Sequence, residues 1–153
     1  MPARDLDQEW GELIEEHRLA MPGTQVLFAF LLVLPFQNRF KDLNDAQVDV
    51  YYAGLLCAAS ATILLIAPTA MHRIRWRHGD KENLLQLATK TAVTATVFLA
   101  FGMTASVYLI TDLLYGSPWT GVAAGILAGA FAWFWFGYPL LRRIRDPRIR
   151  TRS

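Results

Sequence analysis

The chain has few of the residues that build chemistry. It carries one cysteine, so no disulfide can form within it, and only three histidines. Cys57 lies in an apolar tract, where burial disfavours the thiolate, and it reads as a small packing residue. His72 and His78 stand six apart, a spacing that fits no zinc-ligand pattern, so neither a metal nor any other cofactor is expected. The sequence has no Gly-rich phosphate loop, no set-apart pair of carboxylates and no serine–histidine arrangement of recognisable spacing. An enzyme is not expected. Long stretches also lack charge: all 13 acids fall at the ends of the chain or between apolar tracts.

What is there is apolar. Hydrophobic residues make up 54% of the 153 positions, above the 45–50% usual in soluble domains. The charges gather at 1–18, 38–49, 72–82 and 142–152, whereas a soluble helix distributes them along one face. Crossing about 30 Å of hydrocarbon takes about 20 helical residues. Four tracts approach or exceed that length: Leu19 to Phe36, Val48 to Met71, Leu84 to Ile110 and Trp119 to Leu141. The fold class predicted is therefore all-α, an integral membrane four-helix bundle covering 19–141. It is preceded by a segment 1–18 and followed by an Arg-rich tail 142–153. The residues before the first tract are acidic, so no cleavable signal peptide is expected.

The boundaries carry helix signals. Pro22 suits a first helical turn, and Pro35 ends or kinks the first span. Asn44 or Asp45, Asp80, and Ser117 followed by Pro118 are candidate caps for the second, third and fourth helices. Pro68 falls inside the second, and Asp146-Pro147 closes the last.

Lys and Arg set the orientation. With four spans, one side holds Arg4, Arg18, Arg73, Arg75, Arg77, Lys81 and the six arginines of the tail, and the other only Arg39 and Lys41. Both termini are thus expected in the cytoplasm and the chain in the plasma membrane. Lys90, near the start of the third span, can snorkel to the same side. Arg73, Arg75, Arg77, Arg142 and Arg143 are expected to meet anionic lipid headgroups. Membrane topology accounts for the basic residues, so a nucleic-acid partner is not expected. Segment 1–18 repeats Leu6, Trp10, Leu13, Ile14 and His17 at helical spacing with acids on its other faces. It is expected to be an amphipathic interfacial helix on the cytoplasmic face, drawn to the basic loop or tail, or else a solvated acidic lead-in.

Within the spans, Gly121, Gly125 and Gly129 stand four apart and form a smooth ridge on one helix face. Small residues let helix backbones approach, which drives association where lipid removes the usual hydrophobic force. Packing within the chain is the leading expectation, and packing against a second chain, as a homo-oligomer or with a membrane partner, is the alternative. Gly54, Ala58 and Ala61 form a weaker equivalent. Trp133-Phe134-Trp135-Phe136 and Tyr138, with Trp76, read as an aromatic belt, and Tyr115 with Trp119 mark the opposite interface. Threonine and serine hydroxyls can bond their own helix. The Gln25 amide needs an outside partner, either another helix or a polar pathway.

Several stretches resemble a family of uncharacterised small actinobacterial membrane proteins classed as a domain of unknown function. They are residues 19–32, Pro35-Phe36 with Arg39-Phe40, Tyr51 or Tyr52, Leu65-Ile66-Ala67-Pro68-Thr69-Ala70 with His72-Arg73, and Asp80-Lys81. Together they cover roughly residues 10–115. The resemblance implies no site residues, although proteins of this kind sometimes carry the automatic label sodium:proton antiporter. Such exchange normally uses a carboxylate near mid-membrane, held by broken helices, and here the nearest acids, Asp49 and Asp112, belong to the outer interface. The function expected is a non-enzymatic accessory or structural membrane component. The alternative is a small cation or proton transporter drawing on Gln25, His72, Arg73, Lys90 and Asp49.

Overall fold

The structure is a computed structural model that describes residues 3–75, 81–116, 119–138 and 140–141. The chain is all-helical over these residues. Helix α1 spans Ala3–Val33, α2 Asp45–Arg75, α3 Lys81–Tyr115 and α4 Trp119–Phe131, and α4 runs on as a π-helical stretch Ala132–Gly137. The side chains of 72–84, and most of those before residue 20, lie outside the described residues, as do Ser117-Pro118, Pro139 and everything after Leu141. The caps expected at Asp80 and Ser117, and the apolar face Leu6, Trp10, Leu13, Ile14 and His17, therefore fall outside them.

One expectation changes at the start of the chain. Residues on both sides of position 18 belong to one uninterrupted helix, and Pro22 sits inside it. It does not stand in the first turn of a helix. A proline within a helix deletes a single backbone hydrogen bond, and the bonds on either side can carry the helix through.

Where α1 ends, sequence and structure connect closely. In a continuing helix the N–H of residue 35 would donate to the Leu31 carbonyl. Pro35 has no N–H, and the chain leaves the α-helix after Val33 for two short 3₁₀ turns, Leu34–Phe36 and Asn38–Asp42. The Leu31 carbonyl receives the Tyr51 hydroxyl of α2 instead, at 2.9 Å in a buried setting. The Phe40 ring packs edge-on against Tyr51, with centroids 5.1 Å apart. Leu31, Tyr51, Ala58 and Leu109 form the core, flanked by Leu27, Phe28, Leu34, Phe40, Leu43 and Leu55.

Helix α2 opens with a reciprocal cap. The Gln47 N–H donates to Asn44 Oδ1 at 2.9 Å, and the Asn44 N–H donates to Gln47 Oε1 at 3.0 Å. Two backbone donors that no helical carbonyl can reach are thereby satisfied. Asn44 is the capping residue of the two candidates. Helix α3 ends at Gly116, whose φ of +52° is cheap only for glycine and whose N–H returns to the Asp112 carbonyl at 2.8 Å.

Helices α2 and α3 pack antiparallel along a seam of small residues. On α2 the buried positions are Tyr51, Gly54, Ala58, Ala61, Leu65 and Pro68. Their spacing of three and four is that of a coiled coil. On α3 they are Ala88, Ala95, Gly102 and Leu109, seven apart. A Cβ on Gly54 would stand 3.1 Å from the Ala105 Cβ, and one on Gly102 3.4 Å from the Gly54 carbonyl. The two backbones meet where side chains are missing.

Three helical stretches are long and apolar enough to cross a membrane: Asp45–Met71, Leu85–Tyr115 and Trp119–Gly137. The apolar part of the first, Ala20–Phe36, is shorter. Helix α1 packs on α2 and the edge of α3, whereas α4 packs on α3. Among the described residues α4 approaches neither α1 nor α2, so the four helices form an open array.

Candidate functional site

Depth along the helices organises the polar residues. Ala58 and Gly102 face each other near the middle of α2 and α3, where a Cβ on Gly102 would stand 3.5 Å from the Ala58 nitrogen. At 1.5 Å per residue, Asp112 stands about 15 Å from Gly102 toward one end and Lys90 about 18 Å toward the other. Lys90 and Asp112 are the two charged residues within the apolar stretch Leu85–Tyr115 of α3, one toward each end.

At the Asp112 edge the end of α3 lies beside the start of α2. The Gln47 amide donates to Asp112 Oδ2 at 2.6 Å, tying the two helices together. A carboxylate near a helix C-terminus is unfavourable, because the exposed carbonyls there carry partial negative charge. The neighbouring N-terminus of α2 and the Gln47 amide offset it. Asp49, two residues along α2, is exposed and outside this clamp. At the opposite edge Lys90 is exposed on α3, and the Thr94 hydroxyl donates to its carbonyl at 2.8 Å. His72, Arg73 and Arg75 follow Met71 in the last turn of α2, with side chains outside the described residues. Arg77, Arg142 and Arg143 are outside them altogether. Among the described residues no group of three or more His, Cys, Asp or Glu is placed to hold a metal ion.

Most hydroxyls in the spans bond to their own helices. Thr24, Thr62, Thr96, Thr104 and Ser106 each donate to the carbonyl four residues back, at 2.8–3.1 Å. Thr120, in the first turn of α4, is buried with its Oγ1 unpaired. Gln25 makes none of the interhelical bonds expected of it. Its neighbour Thr24 is fully buried, but Gln25 itself is exposed, and no described residue meets its amide. Counted from the Tyr51–Leu31 hydrogen bond, Gln25 stands about 9 Å back along α1, level with Cys57 of α2. Cys57 is about 18 Å from Asp45 and about 21 Å from Met71, the two ends of that span. The side chain is exposed, and in α1 itself it stands about 8 Å past Ala20, where the apolar part of that helix begins.

The two small-residue motifs have different fates. Gly54 and Ala58 are in the α2–α3 seam. Gly121, Gly125 and Gly129 are exposed, and a Cβ on any of them would meet nothing within 4 Å. Among the described residues the ridge on α4 therefore meets no other helix, contrary to the leading expectation. Only 6% of the apolar window of α4 is buried, against 28% for α2. Below the ridge the helix widens into its π-helical turn. Gly137 leaves room for the Trp133 ring, which a Cβ there would approach to 3.3 Å, and Phe131 packs on Trp135 with centroids 4.6 Å apart. A π-turn shifts every following side chain around the helix axis, which fans the aromatic run outward: Trp133, Phe134 and Phe136 are exposed.

Reading the sequence missed the Gln47–Asp112 clamp and the full length of the α2–α3 seam. A signal for the seam was present in the seven-residue spacing of Ala88, Ala95, Gly102 and Leu109. It is hidden because apolar residues surround it on every side of the helix, so no polar contrast marks the buried face.

No curated protein and no solved structure matches the chain. A family model described as a family of unknown function, DUF6328, matches residues 1–139 and so reaches from the first helix through the aromatic π-turn. The chain belongs to the DUF6328 family, whose function is unknown, and three of its helical stretches are long and apolar enough to cross a membrane.

Proposed function

We propose that this is a multi-pass plasma-membrane protein without catalytic activity, which acts as an accessory or structural component by presenting α4 to another membrane protein. The carrying observation is the open face of α4. Its glycines stand four apart, and among the described residues it packs only on α3. The α2–α3 seam shows how this chain uses glycine when two of its own helices meet, and the α4 ridge is the same device without a partner. On this reading α1 is a fourth span, because its apolar part packs at the depth of α2. Both termini face the cytoplasm by the distribution of Lys and Arg, and segment 1–18 lies along that surface.

The transporter alternative, with the antiporter label it brings, draws little from the geometry. The acids nearest the spans, Asp49 and Asp112, stand at an edge, and the middle of the α2–α3 seam is lined by glycine and alanine. A photo-crosslinker at Ile126, beside the ridge, tests the leading reading in native membranes. A discrete membrane protein should be captured in fixed ratio, and Gly125→Leu should abolish the capture. Sodium- or pH-gradient-driven flux in proteoliposomes, lost in Gln25→Ala or His72→Ala, would replace this reading with the transporter.

A further inference from the structure

We infer that the bilayer covers only the Asp112 half of the helix array, and that the Lys90 ends of α2 and α3 stand in water as a paired helical extension. The inference rests on the membrane-spanning reading above and adds where the lipid stops. Two helices mark that level separately. In α1 the apolar part begins at Ala20, about 17 Å back from Leu31. Leu31 accepts the Tyr51 hydroxyl, and the same distance along α2 from Tyr51 reaches about Thr62. Ala58 faces Gly102, so Thr62 lies level with about Phe98 of α3. Helix α4 gives the second mark. It starts at Trp119, just after α3 ends, and packs on α3, so the two run antiparallel. Its apolar stretch closes at Gly137, about 27 Å on, level with about Val97 of α3. The two marks coincide, although among the described residues α1 and α4 do not meet.

The exposed residues of α3 change character at the same level. Before it the helix exposes Gln86, Leu87, Thr89, Lys90, Val93 and Thr94, and after it Phe101, Met103, Val107, Ile110 and Leu114. Gln86, Lys90 and Thr94 stand four apart on one face, and an amide and an ammonium facing hydrocarbon are costly. Single apolar residues exposed beyond the level, such as Ile66 and Met71 of α2, are common on a wet surface. Length argues the same way. The apolar stretch Leu85–Tyr115 measures about 45 Å, against about 30 Å of hydrocarbon. It would fit only at a tilt of about 48°, beyond the usual range, and α4 would then fall well short of crossing. A boundary at Phe98 leaves about 20 Å of α2 and about 25 Å of α3 outside. Lys90 stands about 12 Å beyond it and meets water without snorkelling. By the distribution of Lys and Arg this water is the cytoplasm.

The test places nitroxide labels on the full-length chain in liposomes, in a Cys57→Ala background. Leu87→Cys and Lys90→Cys probe the extension, and Phe101→Cys and Val107→Cys probe the lipid belt. All four positions are exposed on α3, so the labels displace no packing. Collisions with a water-soluble nickel chelate are compared with collisions with oxygen, which concentrates in hydrocarbon. The chelate-to-oxygen ratio is expected to be several-fold higher at Leu87 and Lys90 than at Phe101 and Val107. Leu87 is the decisive site, because its own side chain is apolar and only its depth predicts water. Either extension site decides alone, so one variant that fails to fold leaves the test intact. Oxygen-dominated collisions at all four sites overturn the inference and leave the spanning reading standing. Chelate-dominated collisions at all four overturn both.

Discussion

Pro35 and Tyr51 are a coupled pair. Proline withholds a donor from the Leu31 carbonyl and tyrosine supplies one from another helix. Tyr51→Phe should destabilise the fold by about 1–3 kcal/mol, because a buried carbonyl is left unpaired. Pro35→Ala, which restores a backbone N–H, should reduce the cost of Tyr51→Phe, and a double-mutant cycle read by unfolding in mixed micelles would show the coupling. Additive effects would mean that the hydroxyl and the missing N–H are unrelated. Thr120 predicts the opposite sign. Its buried hydroxyl has no partner, so Thr120→Val, nearly the same shape, should be neutral or stabilising by up to about 1 kcal/mol in the same assay. Clear destabilisation would show that the hydroxyl is bonded.

The helices differ in what added bulk would do to them. Gly102→Leu places a side chain where a Cβ alone is already 3.4 Å from the Gly54 carbonyl. It should force α2 and α3 apart and cost at least about 1–3 kcal/mol, the usual penalty for overpacking. At Gly121 or Gly125 a Cβ has no neighbour within 4 Å, so leucine there should leave the unfolding midpoint unchanged or slightly raised, since leucine favours helix over glycine. Both helices carry glycine in an apolar tract, so this contrast reports tertiary packing and not local propensity. Equal sensitivity at the two sites would refute the open position of α4. At the end of the same seam, Gln47→Ala removes both half of the α2 cap and the tie to Asp112. A loss of about 2 kcal/mol, the sum of a cap and a hydrogen bond to a charge, is expected from unfolding curves.

For the molecule as a whole the prediction concerns topology. Reporter tags on the two termini should read the same compartment, the cytoplasm, while a tag in the 37–43 connection should read the other. Termini in opposite compartments would mean that α1 does not cross, since the remaining three spans have the length to do so by themselves. The open arrangement of the helices bears on stability as well. Among the described residues helix α4 packs only on α3, so local opening of α4 should need less free energy than opening of the α2–α3 pair. Hydrogen exchange in nanodiscs should show its amides, those of the π-turn above all, exchanging before the seam amides.

Several features were determined by sequence alone. Helical class follows from apolar tracts that approach or exceed spanning length, because a bilayer interior forces the backbone to bond within itself. The break at Pro35, a cap at Asn44 or Asp45 and the uncharged middle of the array are local effects, settled by a missing N–H, a side-chain oxygen and an absence of charge. Tertiary structure alone decided which glycines are used. Gly54 and Gly125 sit in similar surroundings in the sequence, yet one is filled by Ala105 and the other is open. It also left Gln25 exposed, joined Gln47 to Asp112 across 65 residues, and carried α1 back past Pro22. The physical reason is the same in each case. In a helix that is apolar on every side, periodicity cannot mark the buried face, and only the neighbour that arrives there defines it.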